Sequence, residues 1–239
     1  MGKVIMSGIV PTLKAPVTGI LAQDIAVGST VKLMEGGAAV EYLVVNQGIP
    51  ENSSLYDASC DGTWLLRKDI HSERQWNSSN VNDYANSTIN TWLNGDFFNS
   101  FGSVEQAAIK QVKIPYRAGG GSNGSDQSGA NGLSCKVFLL SGYEVGFMTS
   151  DNDYFPVDGA KLDYFDASSS KRIAYLNGLE TIWWLRSSRT DGTRRAWCVQ
   201  TIGIPGGGDT RDPAGIRPAL ILPGNALFDK TTMLLKGVK

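Results

Sequence analysis

Reactive chemistry rests on a few side-chain types, and this chain is sparing with them. Its only histidine is His71, close after Asp69 and among many serines. A Ser–His–Asp hydrolase of the elbow type would carry a GxSxG run, and none is present, so His71 reads as a surface or capping residue. Cys60, Cys135 and Cys198 are widely spaced, odd in number and without a CxxC pair. They read as small buried thiols in reducing surroundings. One histidine and three scattered cysteines make no zinc site. Ser150-Asp151-Asn152-Asp153-Tyr154 clusters oxygen ligands of the kind calcium takes. It lacks the spacing and closing Glu of an EF-hand loop, and a polar turn is the expected reading. Gly206-Gly207-Gly208-Asp209-Thr210 has no Gly-Lys-Ser/Thr to cradle phosphate and reads as a flexible loop. No catalytic residue, metal or cofactor is expected.

Arginine is the remaining chemistry. Six of the ten arginines, Arg186, Arg189, Arg194, Arg195, Arg211 and Arg217, fall within 186–217, against Asp191, Asp209 and Asp212 as the only acids there. The segment is locally basic in a chain whose net charge is −1, so no nucleic-acid role is expected. No apolar run approaches the ~20 residues that span a bilayer, so no membrane insertion is expected. The start, Met1-Gly2-Lys3-Val4-Ile5-Met6, reads as neither a signal peptide nor a myristoylation site.

The elements that must position these residues read as one large domain. Residues 1–25, with Pro11 and Pro16, suit an extended arm; 26–225 form the domain; 226–239 are a tail. Thr30 to Met34 and Ala39 to Val45 flank Gly36-Gly37 as a hairpin, and Trp64 to Lys68 follows as a strand. Tyr84, Ile89, Trp92 and Leu93 share a helical face within 82–101, where Asn94-Gly95 is a break point. Ser103-Val104-Glu105-Gln106 and Ser141-Gly142-Tyr143-Glu144 have capping-box form, the second opening a helix to about Met148. A helix at 171–176 would stop at Asn177-Gly178. Residues 118–134, rich in Gly, Ser and Asn, read as a mobile excursion before a strand at 136–140. Three terminal strands, 181–187, 196–201 and 216–222, are expected to form one twisted sheet joined by surface loops. The order is α+β.

Trp183-Trp184-Leu185-Arg186-Ser187, Ala196-Trp197 and Gly215-Ile216-Arg217-Pro218-Ala219-Leu220 together resemble the C-terminal part of the variable proteins of diversity-generating retroelements, found in gut bacteria and their phages. Leu55 to Trp64, Val81-Asn82-Asp83-Tyr84 and Leu139 to Gly146 agree with it, so that the resemblance covers roughly 28–223. It implies a C-type-lectin-like fold whose terminal antiparallel strands display variable loops. In such proteins template adenines become random bases at chosen codons of a hypervariable segment. Randomised AAC or AAT codons cannot give Lys, Glu, Gln, Met or Trp; across 188–214 only Trp197 and Gln200 lie outside the reachable set.

The resemblance implies receptor binding and adhesion, not catalysis. The location would be a phage tail tip or a bacterial cell surface, and the partner a protein or other surface receptor; a homo-oligomer is compatible with it. The expected ligand-binding, variable positions are Arg189, Asp191, Thr193, Arg194, Arg195, Cys198, Gln200, Ile202, Ile204, Gly206, Asp209, Arg211 and Asp212. The expected scaffold is Trp183, Trp184, Arg186, Trp197, Gly215 and Arg217, with Arg186 and Arg217 each held by a bidentate carboxylate or by carbonyls. The sugar-binding motifs of calcium-dependent lectins are missing. The alternatives are a structural virion protein with no receptor role, and an oxidase like the formylglycine-generating enzymes, which share the lectin-like fold but need paired active-site cysteines.

Overall fold

In a computed structural model that describes residues 19–51, 53–148 and 153–239, the chain opens with a short strand, β1 (Gly19–Leu21). β2 (Thr30–Glu35) and β3 (Ala38–Gln47) follow as the expected hairpin. Gly36 and Gly37 sit at φ +58° and +81°, the left-handed pair that a tight two-residue turn requires. β4 (Thr63–Arg67) is buried over Thr63 to Leu66, as a strand covered on both faces must be. β5 (Ser72–Gln75) is its exposed successor.

The first helix is shorter than expected from the 82–101 periodicity. α1 (Thr88–Trp92) starts after Ser87, whose Oγ accepts from the Asn90 N–H at 3.2 Å. Asn94-Gly95 does not end it; the helix widens to a π turn over Leu93–Phe97. The Asn94 side chain then bonds the backbone of Val137 (2.9 Å) and Lys136 (2.8 Å). α2 (Ser103–Ala108) is capped by Gly102, not by the expected Ser103 box, because Gln106 donates to the Phe101 carbonyl at 2.8 Å instead.

Residues 118–134 are ordered by short strands. β6 (Val112–Ile114) pairs with β9 (Leu133–Cys135), and β7 (Tyr116–Ala118) with β8 (Ser125–Gln127). An Arg117–Asp126 ion pair of 2.7 Å clasps the inner pair. β10 (Val137–Phe138) is briefer than the strand expected there. The Ser141–Glu144 box forms, with Ser141 N–H on Glu144 Oε2 (2.9 Å) and Glu144 N–H on Ser141 Oγ (3.1 Å). Turns follow instead of a helix, and Gly146 at φ +83° has left helical space. The helix expected at 171–176 is replaced by a 3-10 turn, Ser169–Arg172, and a small hairpin of β11 (Tyr175–Leu176) and β12 (Leu179–Glu180). Asn177-Gly178 is its turn; one left-handed pair serves a hairpin as well as a helix end.

β13 (Trp183–Ser188), β14 (Arg195–Val199), β15 (Pro205–Asp209), β16 (Pro213–Ile216), β17 (Ala219–Leu222), β18 (Ala226–Asp229) and β19 (Leu235–Val238) complete the chain. One five-stranded sheet runs β10-β17-β4-β3-β2, and a second runs β15-β14-β13-β16-β5. The third terminal strand therefore does not join the first two intact. It divides at Arg217-Pro218, where β16 ends in the second sheet and β17 begins in the first. Gly206 to Gly208, expected as loop, lies within β15. β1, β18 and β19 make a third sheet, so 19–21, 226–229 and 235–238 are strands where an arm and a tail were expected; residues 1–18 of that arm lie outside the described residues. The chain is mostly β-sheet with few helices, compatible with the α+β order.

Trp64, Trp76, Trp183, Trp184 and Trp197 are all buried. Trp183 and Trp184, adjacent on β13, face opposite ways: their indole N–H groups reach the Arg172 carbonyl (2.8 Å) and the Arg74 carbonyl (3.1 Å). Both faces of the second sheet are thus covered at its centre.

Candidate ligand-binding surface

Three strands, β13 to β15, carry the loops 189–194 and 200–204, and the turn 210–212 follows β15. The backbone of the first loop is bolted down. Asn82, fully buried, donates its Nδ2 to the carbonyls of Arg195 (2.7 Å), Arg189 and Gly192 (both 3.2 Å). Its own N–H reaches the Thr193 carbonyl at 2.8 Å. The Ser188 hydroxyl donates to the Asn82 carbonyl, and Thr210 N–H to the Arg194 carbonyl at 3.0 Å. Gly121, at φ +41°, lies so close that a Cβ there would fall 1.8 Å from the Gly192 oxygen. The segment 118–125 is therefore a buttress for the loop.

Beyond Thr190 the side chains of that loop turn toward solvent. Asp191, Arg194 and Arg195 are exposed and Thr193 is half-buried. With the Asn80 amide turned to satisfy both groups, its oxygen accepts from Arg194 Nε (2.6 Å) and Nη2 (2.9 Å). In the second and third segments Ile202, Ile204, Arg211 and Asp212 are exposed. Arg211 pairs with half-buried Asp209 at 3.2 Å, and that hydrogen bond holds the Asp209 carboxyl below its ordinary range.

Several expected surface positions belong to the support. Cys198 is only 3 % exposed, and burial pushes its thiol up to about 12. It lies on the Trp184 face of β14, at the base of a hollow, where the Gln200 amide stands 3.5 Å from its sulfur. Gln200 packs so tightly on Gly206 that a Cβ at 206 would stand 1.8 Å from its Nε2. The atom met is the far end of a flexible side chain, which can give way. Arg189 does not project freely: it lies over Trp197 (4.6 Å) and Tyr154 (5.3 Å) and pairs with Asp191 at 2.6 Å. Its hydrogen bonds lower the Asp191 carboxyl.

The expected scaffold residues are all buried. Trp197 stacks on Phe155 with 4.0 Å between centroids. Gly215 donates its N–H to the Ile182 carbonyl at 2.8 Å, where β16 approaches the start of β13. Arg186 spends all five guanidinium protons: two on Glu144 (2.5 and 2.6 Å), and one each on Pro115, Leu139 and Asp158 carbonyls. Burial opposes the charge, but the Glu144 carboxylate outweighs it and raises the pKa. Arg217 is less well served. Its Nε donates to the Arg67 carbonyl and its guanidinium lies over Trp183 at 5.1 Å, but Nη1 has no hydrogen-bond partner among the described residues, and burial lowers the group to about 10.

Three hollows adjoin β15. One of about 430 Å³ has Trp184 as floor and Glu73, Glu180, Asp212, Gly207 and Gly208 around it. One of about 420 Å³ lies among Asp191, Arg194, Arg195 and Asp209. One of about 510 Å³ is walled by Phe147, Met148, Arg172, Ile204 and Pro205.

Reactive groups are not gathered here. His71 is held elsewhere, its Nδ1 2.8 Å from Ser72 Oγ and its ring against Trp92 and Phe97, with burial lowering its pKa. Cys60, Cys135 and Cys198 are buried free thiols, and burial raises each of them. Among the described residues no group of three or more His, Cys, Asp or Glu is placed to hold a metal ion; most of the run considered for calcium, 150–152, lies outside them. No helix is long and apolar enough to cross a membrane among the described residues.

Asn82 and Thr210 are the site residues that sequence reasoning missed. The phrase Val81-Asn82-Asp83-Tyr84 was visible, but nothing local says that its amide reaches a loop more than a hundred residues away.

Fold and site together define a β-rich module with a rigidly supported loop surface. The chain belongs to the family described as Domain of unknown function (DUF6273), which matches residues 61–224, from just before β4 to just after β17. No curated protein and no solved structure gave a match.

Proposed function

We propose that this chain is a ligand-binding domain of the C-type-lectin-like kind, a variable protein of a diversity-generating retroelement that acts as a receptor-binding tip or adhesin. The observation that carries this reading is the division of labour in 188–214. Loop backbone is gripped through its carbonyls by Asn82 and Thr210, while Asp191, Thr193, Arg194, Arg195, Ile202, Ile204, Arg211 and Asp212 carry their side chains on the outer side. A grip on main-chain oxygens is indifferent to side-chain identity, so recognition can change without refolding. Few contacts dominate such interfaces, and Arg with exposed apolar anchors such as Ile202 supplies them. The raised Cys198 thiol supports binding over the oxidase alternative, since a thiol held protonated is a poor nucleophile.

A library in which those eight positions are randomised tests the reading. Most members are expected to melt close to the parent, and selection against an unrelated protein should enrich binders. Widespread unfolding, or no binder at all, would remove it. In the genome, a reverse transcriptase with a template repeat differing from codons 188–214 only at adenines is expected nearby.

A further inference from the structure

Resting on that reading, we propose that the ligand is a protein that adds an extended segment to the open edge of β15, as a sixth strand of the second sheet. Among the described residues β15 is the terminal strand of its sheet, with β14 as its only neighbour. Its ladder is fixed at both ends by Gln200 N–H on the Ile204 carbonyl (2.9 Å) and Thr210 N–H on the Arg194 carbonyl (3.0 Å). Antiparallel pairs alternate between bonded and non-bonded. With these brackets, Gly206 opposite Cys198 and Gly208 opposite Ala196 are bonded pairs, and Gly207 opposite Trp197 is not. Gly207 therefore turns both its N–H and its carbonyl to the open side, as do the Asp209 N–H and the Pro205 carbonyl.

Edge strands are ordinarily guarded by lysine, proline or a bulge. This one offers three glycines with Pro205 at one end, and Gly207 is exposed. Its backbone is the complement of another strand's backbone, and the surroundings specify the side chains. An added strand sends successive side chains to alternate faces. On the Trp184 face lies the hollow ringed by Glu73, Glu180 and Asp212, with no Lys or Arg in its lining and no ion pair to any of the three among the described residues. That face fits a basic side chain, its stem over the indole. The opposite face meets Arg194 and Arg195 beside Asp209, and Phe147, Met148 and Ile204 beside Pro205. The fitting occupant is thus an extended segment with a Lys or Arg flanked by one acidic and one apolar neighbour.

The test selects random peptides of about nine residues, the length of a long strand, against the intact protein, and then follows amide exchange by NMR. Enriched peptides should share the basic residue with alternating acidic and apolar neighbours. On binding, the Gly207 and Asp209 amides should exchange at least about tenfold more slowly, while Gly206 and Gly208 stay as slow as they were. Methylating the peptide nitrogen that faces the Gly207 carbonyl should abolish binding. The proposal is overturned if enriched peptides leave Gly207 unprotected, if none is enriched, or if Gly207 becomes protected through self-association as the protein is concentrated. Where the randomised-loop library still yields folded binders, only strand addition falls; where it does not, the receptor reading falls with it.

Discussion

Asn82 shows how much of a loop surface can hang on one amide outside it. Replacing it with Ala leaves the Arg189 and Gly192 carbonyls without that donor and Arg195 with only its bond from Arg189. Asn82→Ala should lose about 1–3 kcal/mol of stability, and Arg194→Ala no more than about 0.5 kcal/mol, in denaturant melts. Equal losses would mean the loop is held by its side chains. Residue roles were legible where chemistry forces them. A buried arginine is best kept by a carboxylate or carbonyls; Arg186 finds Glu144 together with three carbonyls, whereas Arg217 has the Arg67 carbonyl and leaves Nη1 unpartnered among the described residues. Cys198 was not legible: alternation from Trp197 sends it to the other face, and only the tertiary fold tells whether that face is wet.

At the scale of elements, composition misled where glycine was used for space instead of flexibility. Gly206-Gly207-Gly208 has the composition of a loop, since strands are poor in glycine. Here a Cβ at 208 would stand 2.6 Å from Trp184 Cη2, so the strand needs a bare backbone to lie across the indole. Gly208→Ala should destabilise by about 1–3 kcal/mol, as overpacking does. Gly207→Ala, which meets only the movable stem of Arg189 at 2.9 Å, should cost less. Thermal melts of the two variants check the order. The β2–β3 hairpin was readable because its turn chemistry is local. The division of the last strand at Arg217-Pro218 was not, because nothing local distinguishes a continuing strand from one that changes sheets.

Across the whole molecule, the buried Arg186 cluster ties Tyr56, Pro115, Leu139, Glu144 and Asp158 into one dry network. Arg186 and Glu144 neutralise each other, and Asp158 is a further carboxyl in the same interior. Burial pushes it up to about 7 although Arg186 pulls the other way, and its Oδ1 has no hydrogen-bond partner among the described residues. In the unfolded chain the group titrates near about 3.9. The folded state therefore keeps a proton that the unfolded state gives up. Its contribution is complete below about pH 4 and is lost as pH rises through about 7. Denaturant stability should fall by about 2–3 kcal/mol from this group between about pH 5 and about pH 8, and Asp158→Asn should flatten that slope. A wild-type protein with no such slope would show that the carboxylate is solvated in the fold.

The grip on the 189–195 carbonyls has a last consequence, for inheritance. The carbonyls of Arg189, Gly192, Thr193, Arg194 and Arg195 each meet a donor at a fixed place, so the loop should accept a new letter at its exposed positions more readily than one letter more or fewer. Substitution at those exposed positions should leave the fold in place, whereas an added or lost codon would displace the carbonyls that follow it from their donors.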